Sequence, residues 1–224
     1  SNSFCTLLAG PHPAFTVSDT MAEIDVKTYS DDQCFGKAAP SIDSLEFVVG
    51  DKIGLPAGKV TVLFFWVSYY KGAWVVNEEL TQLAEKNPEV QFIAISNDAD
   101  RAAVEKFLKK IEDGRVIDEN TKKPYRLAVS HVAYDDKKAV GKAYADLSNN
   151  TLVHVPQAFI VDKDGKVAWR QNLTQSFTMT QSNFADQLER VVKGEALDMS
   201  NGPKPKVEAD EGEDVEVDGD LALF

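Results

Sequence analysis

The chain is 224 residues long, 43% hydrophobic and 27% charged, with a net charge of -12. That composition suits one sizeable domain plus terminal extensions, with a core large enough to need no metal or disulfide staple. The acidic balance argues against nucleic acid or an anionic membrane surface as a partner, and the longest apolar run is strand-sized, so no membrane insertion is expected.

Residues 1–35 read as an irregular arm, with Pro11 and Pro13 close together and no periodicity. Its two cysteines, Cys5 and Cys34, fit a reducing, intracellular compartment, cytoplasmic or mitochondrial, or a protein that makes no use of cysteine. A single Cys5–Cys34 disulfide is the lesser alternative. The first residue is not Met, which leaves room for a cleaved targeting segment.

From Gly36 onward, elements alternate. Leu45–Val49 is a short apolar strand. Val60–Val67 (VTVLFFWV) is a β-branched and aromatic run of the kind buried on both faces of a sheet. Trp74–Lys86 has helical spacing through Val76, Leu80, Leu83 and Ala84. Val90–Ser96 is a second buried strand, and Asp98 or Asp100 caps the helix Arg101–Ile111. Glu112–Lys123 is a polar loop. Arg126–Ser130 reads as a third strand and Asp135–Tyr144 as a third helix, with Ala139, Val140, Ala143 and Tyr144 facing inward.

Gln157–Asp162 and Lys166–Gln171 flank the turn Asp162-Lys-Asp-Gly165, a hairpin signal. A helix over Gln181–Lys193 stops at Gly194. Strand–helix–strand units early in the chain predict parallel pairing, and the late hairpin an antiparallel edge. Between Glu208 and Asp220 lie eight acidic residues and no basic ones, two-thirds of the net charge; the apolar end Leu221–Phe224 could dock into a partner.

Three segments carry a family resemblance. Gly36-Lys-Ala-Ala-Pro40 resembles the opening motif of redoxin domains. Phe65-Trp66-Val67-Ser68-Tyr69 resembles the run leading into a W-C-x-x-C active site. Val155-Pro156-Gln-Ala-Phe159 through Asp162-Lys-Asp-Gly165-Lys-Val167 resembles the segment that holds a cis-proline and the following hairpin. Together they resemble the thioredoxin superfamily, in its redoxin, TlpA-like and tryparedoxin-like branches, over roughly residues 36–195. The resemblance implies an α/β three-layer sandwich, a mixed central sheet with helices on both faces. It divides the chain into an arm (1–35), a thioredoxin-like domain (36–196) and an acidic tail (197–224).

The same alignment puts the family's nucleophilic cysteine at Tyr70 and its resolving cysteine at Ala73, with Lys71 and Gly72 between. Thiol–disulfide exchange needs a thiolate whose pKa is lowered at a helix start, and usually a second thiol to resolve the mixed disulfide. A phenol and a methyl group supply neither. The expectation is a redox-inactive structural or adaptor subunit of a protein assembly, without cofactor. The alternatives are an enzyme of the oxidoreductase lineage acting through Cys34 or a non-thiol reaction, and a peptide-binding chaperone module.

Tyr69, Tyr70, Lys71 and Trp74 form an aromatic and cationic loop suited to protein binding, or to plain surface packing, while Trp66 is expected in the core. Pro156 is cis in relatives, where the residue before it, here Val155, pairs with extended substrates; in this chain the proline also serves the turn itself. His131 and His154 are read as flanking strands at one sheet end, but a metal would need a third ligand that the sequence does not offer. Ser130 and His131, as successive strand residues, are expected on opposite faces.

Overall fold

The computed structural model describes residues 33–198. Six strands make one mixed sheet in the order β1-β4-β3-β2-β5-β6. They are β1 (Glu46–Val49), β2 (Thr61–Trp66), β3 (Gln91–Ser96), β4 (His131–Tyr134), β5 (Gln157–Val161) and β6 (Val167–Asn172). The central strands β2, β3 and β4 run parallel; β1 on β4, β5 on β2 and β6 on β5 are antiparallel. The sheet therefore has antiparallel strands at both edges, where the sequence predicted one. The pairing of β1 with β4 joins segments about 85 residues apart, beyond the reach of local pattern.

β2 and β3 are buried along their whole length, as their continuous apolar runs require. Alternate residues of β2 enter opposite cores. Val62, Phe64 and Trp66 pack with α1 (Lys71–Lys86), α2 (Arg101–Glu112) and α4 (Phe184–Lys193). Leu63 and Phe65 pack with α3 (Ala139–Leu147) and with Ile42 and Leu45 from the lead-in segment. On that second face Phe65, Tyr144 and Phe159 form a ring cluster with centroids 4.9–5.8 Å apart. The expected sandwich, with helices on both faces, is what forms.

Four boundaries differ from the sequence reading. α1 starts at Lys71 rather than Trp74, so Gly72 and Ala73 lie in its first turn. The third strand is His131–Tyr134, not Arg126–Ser130. Arg126 is drawn to α1 instead: its guanidinium binds Glu78 and Glu85, and its N–H donates to Glu78. The third helix begins at Ala139 after a 3-10 turn over Asp136–Lys138, and buries Val140, Gly141, Tyr144 and Ala145 while Ala139 is exposed. The buried Asp135 carboxylate stands in front of this helix and accepts from the N–H groups of Val140 (3.0 Å) and Gly141 (2.7 Å). α4 begins at Phe184, three residues late, and ends as expected on Gly194 in the left-handed region.

The hairpin forms as predicted. Asp162 Oδ1 accepts from the N–H groups of Asp164 and Lys166, and Gly165 takes a positive φ of 75°. Gly36–Ala39 lies against this hairpin through Gly36 N–H to Val167 O and Ala39 N–H to Gly165 O, both 2.9 Å. The lesser alternative, a Cys5–Cys34 disulfide, involves Cys5, and that residue, most of the N-terminal arm and nearly all of the acidic tail lie outside the described residues.

The histidines do not share a sheet end. His131 opens β4 opposite Ile93, whereas His154 precedes β5, which pairs with the far end of β2. Ser130 and His131 are within hydrogen-bonding distance, Oγ to Nδ1 2.7 Å, because Ser130 lies just before the strand and escapes its alternation. Burial pushes both imidazoles below the ordinary value of 6.5. Such groups bind protons more readily in the unfolded chain, so their contribution to stability is complete above pH 6.5 and is lost as pH falls through their folded values. Urea midpoints are expected to drop between pH 7.5 and 5, and the double variant His131→Gln/His154→Gln to flatten that slope. An unchanged slope would refute the assignment.

Candidate functional site

The loop from Val67 to Tyr70 joins the end of β2 to α1. β2 and β3 end level, with Trp66 opposite Ser96, and the Asn97 N–H extends the ladder to Trp66 O at 2.8 Å. One residue further on, the Asp98 carboxylate is buried at 3% exposure. It accepts from the Ser68 N–H (3.0 and 3.2 Å), the Ser68 hydroxyl (2.8 Å) and the Ser96 hydroxyl (2.6 Å). From the other side the Trp74 indole N–H donates to Ser68 O at 2.8 Å. Ser68 is thus held through its amide, hydroxyl and carbonyl at once. The sequence offered Asp98 and Asp100 as rival caps for α2. Asp100 is the cap, accepting from the Ala103 N–H at 2.8 Å, and Asp98 fixes this loop.

Tyr70 is the N-cap residue of α1, extended at φ -95°, ψ 111°, with no side-chain capping bond. Ala73 is the third helical residue, fully buried, and its N–H donates to Tyr70 O at 3.0 Å. Gly72 is buried because the Tyr70 ring lies over it: a Cβ there would stand 2.5–2.7 Å from the phenol. The first turn of α1 carries no acidic residue, so its positive end is left unneutralised from within. Lys71, exposed at the helix start, pairs with Glu119 at 2.7 Å.

The four residues predicted for partner binding meet the solvent differently. Tyr69 is 75% exposed and Tyr70 36%. Trp74 is half-buried, with its ring tilted against Phe107 at 5.8 Å and edge-on to Tyr125 at 6.4 Å. Trp66 is fully buried, as expected.

The Val155–Pro156 peptide bond is cis. Among the described residues Val155 forms no backbone hydrogen bond, while Pro156 O accepts from the Leu173 N–H. A cavity of about 180 Å³ opens between Tyr69, Asn97, Gly141 and Val155. Asn97 is 5% exposed, and its Oδ1 has no partner among the described residues. Cys34 is fully buried in the core beside Ile42 and Val167, at the hairpin end of the sheet, opposite the Tyr70 loop. Among the described residues no group of three or more His, Cys, Asp or Glu side chains is placed to hold a metal, and no helix is long and apolar enough to cross a membrane.

Residues 58–167 match the thioredoxin-like family profile. The chain has a thioredoxin-like fold, and the profile covers just under half of it. No curated protein matches the sequence. Among solved structures, an uncharacterized conserved protein from Geobacillus kaustophilus is similar at 21% identity and a TM-score of 0.52, over 79% of this chain and 92% of that one. A hypothetical protein from Sinorhizobium meliloti 1021 is similar at 12% identity and 0.52, over 75% and 90%. The thioredoxin domain of a thiol-disulfide oxidoreductase from Bacteroides vulgatus is similar at 18% and 0.48, over 70% and 96%. At these identities the likeness to the first two is one of fold.

The thioredoxin-like domain places a strand exit, a helix start and a cis-proline segment together, and Asp98 is the residue that holds the first two in register. Replacing it removes the acceptor of the Ser68 amide and of the Ser68 and Ser96 hydroxyls in a partly buried setting. Asp98→Ala is expected to lower stability by about 2–4 kcal/mol, measured by urea unfolding. A loss below about 1 kcal/mol would show that the loop is held by other contacts.

Proposed function

We propose that this thioredoxin-like protein is redox-inactive and serves as a structural or adaptor subunit, meeting protein partners through the Tyr69–Trp74 loop. One observation carries the reading: Tyr70 and Ala73 occupy the N-cap and third position of α1, with the phenol folded over Gly72. A helix start lowers a thiol's pKa, but a phenol placed there has no sulfur to attack a disulfide. Ala73 offers no resolving group. Tyr69, exposed beside the less exposed Tyr70 and the cation Lys71, gives the loop the aromatic and cationic character common at binding hot spots.

The second reading, residual oxidoreductase activity through Cys34, is disfavoured by that thiol's complete burial at the other end of the sheet. An intracellular setting fits the sparing use of cysteine.

The native protein is expected to show no insulin reduction with dithiothreitol above the uncatalysed rate; activity that vanishes in Cys34→Ser would replace this proposal with the second reading. Tyr70→Cys/Ala73→Cys is expected to form a reversible disulfide whose first thiol titrates below the ordinary value of about 8.5, since the helix start is intact. If the two engineered thiols fail to join under glutathione oxidation, the placement of the loop is wrong. On the binding side, Tyr69→Ala/Tyr70→Ala is expected to release co-purifying partners in size-exclusion chromatography while leaving the melting temperature within about 3 °C. A native protein that elutes strictly as a monomer without partners contradicts the adaptor role.

A further inference from the structure

The geometry points to a second contact region beside the loop: a cationic groove between α1 and α2 that takes an acidic peptide segment with an apolar anchor. This rests on the partner-binding reading and names the partner's chemistry. The groove has a volume of about 490 Å³. Trp74, Phe107 and the 46%-exposed Ile117 line it with Lys106, Lys110, Arg115 and one acid, Glu119, which is paired with Lys71.

Lys106 and Lys110 are one turn apart on the same stripe of α2 as Ala103 and Phe107. Both are exposed, and among the described residues neither forms an ion pair. The contrast with neighbouring cations is direct. Lys109, on the adjacent stripe, pairs with Glu112 and Asp113; Arg115 pairs with Asp113; Lys71 pairs with Glu119. In a chain of net charge -12, with carboxylates available throughout, two lysines over an apolar floor keep their charge uncompensated. The start of α1, which has no acid in its own first turn, adds to the same positive field.

Charge complementarity selects an anionic occupant, and the aromatic floor selects one with an apolar side chain. The spacing narrows it further. One helical turn separates the two lysines by roughly 5–6 Å along α2, and side chains two residues apart on an extended peptide are separated by roughly 7 Å. Two carboxylates at alternate positions match the two lysines, and an apolar residue two positions further supplies the anchor for the apolar lining. The recognised pattern is acid-x-acid-x-apolar in an extended segment of a partner protein.

The test uses the full chain and a fluorescein-labelled peptide, Gly-Glu-Ser-Asp-Ser-Leu-Ser, read by anisotropy at 20 mM and 300 mM salt. Saturable binding is expected at low salt, weakened about ten-fold at high salt and at least five-fold in Lys106→Glu/Lys110→Glu. Lys109→Glu, on the neighbouring stripe, is expected to bind within two-fold of the native chain, with circular dichroism confirming that each variant is folded. No binding to the native chain, equal binding by the double variant, or equal binding of a peptide with Lys in place of both acids overturns the inference. So does tighter, equally lysine-dependent binding of a single-stranded oligonucleotide or of phosphatidylserine vesicles, which would mark a general polyanion site. A co-purifying partner kept by Lys106→Glu/Lys110→Glu but lost by Tyr69→Ala/Tyr70→Ala would sink the groove and leave the loop reading standing.

Discussion

The site depends on a single buried carboxylate. Two parallel strands end side by side, and Asp98, just past the end of one, reaches across to the residue that leaves the other. Because the acceptor is charged and nearly dry, each of its hydrogen bonds is stronger than a neutral one. Because Ser68 O is bound by Trp74 as well, the grip on the loop and the packing of the indole on Phe107 support one another. The direction in which α1 leaves the sheet, the position of its first turn and the floor of the groove beside it all follow from this arrangement.

What the loop presents is a helix start prepared for an anion, with an aromatic ring where an anionic sulfur would be needed. The local electrostatics of thiol activation persist in backbone form: amide dipoles aligned along α1 and no acid in its first turn. Only the reacting atoms differ. The Tyr70 ring takes up the space left by the missing side chain of Gly72, so aromatic and glycine fit as a pair.

The sequence was informative wherever one kind of force acted alone. β2 and β3 could be read because burial on both faces demands unbroken apolar runs. The hairpin could be read because an Asp side chain and a Gly at positive φ are what its turn requires. The reading failed where two forces competed. Arg126–Ser130 is apolar enough for a strand, but Arg126 is held by Glu78 and Glu85 on α1, and pairing is left to His131–Tyr134. α1 begins before the residues that show its period, because the loop is fixed from outside while Gly72 is a poor helix former. Asp98 and Asp100 are not separable in the sequence because either carboxylate, between a strand and a helix, looks like a cap. The groove was invisible because Trp74, Lys106 and Ile117 come from separate segments.

The sheet's two margins also bear on how this molecule can associate. β1 is four residues long and its register breaks between Phe47 and Val49; β6 is overlaid at its hairpin end by Gly36–Ala39. Neither margin offers a long, flat row of backbone donors and acceptors to a passing strand, the usual route to ribbon-like self-assembly. Among the described residues, contact with another molecule would therefore fall to side chains rather than to the backbone of the sheet margins.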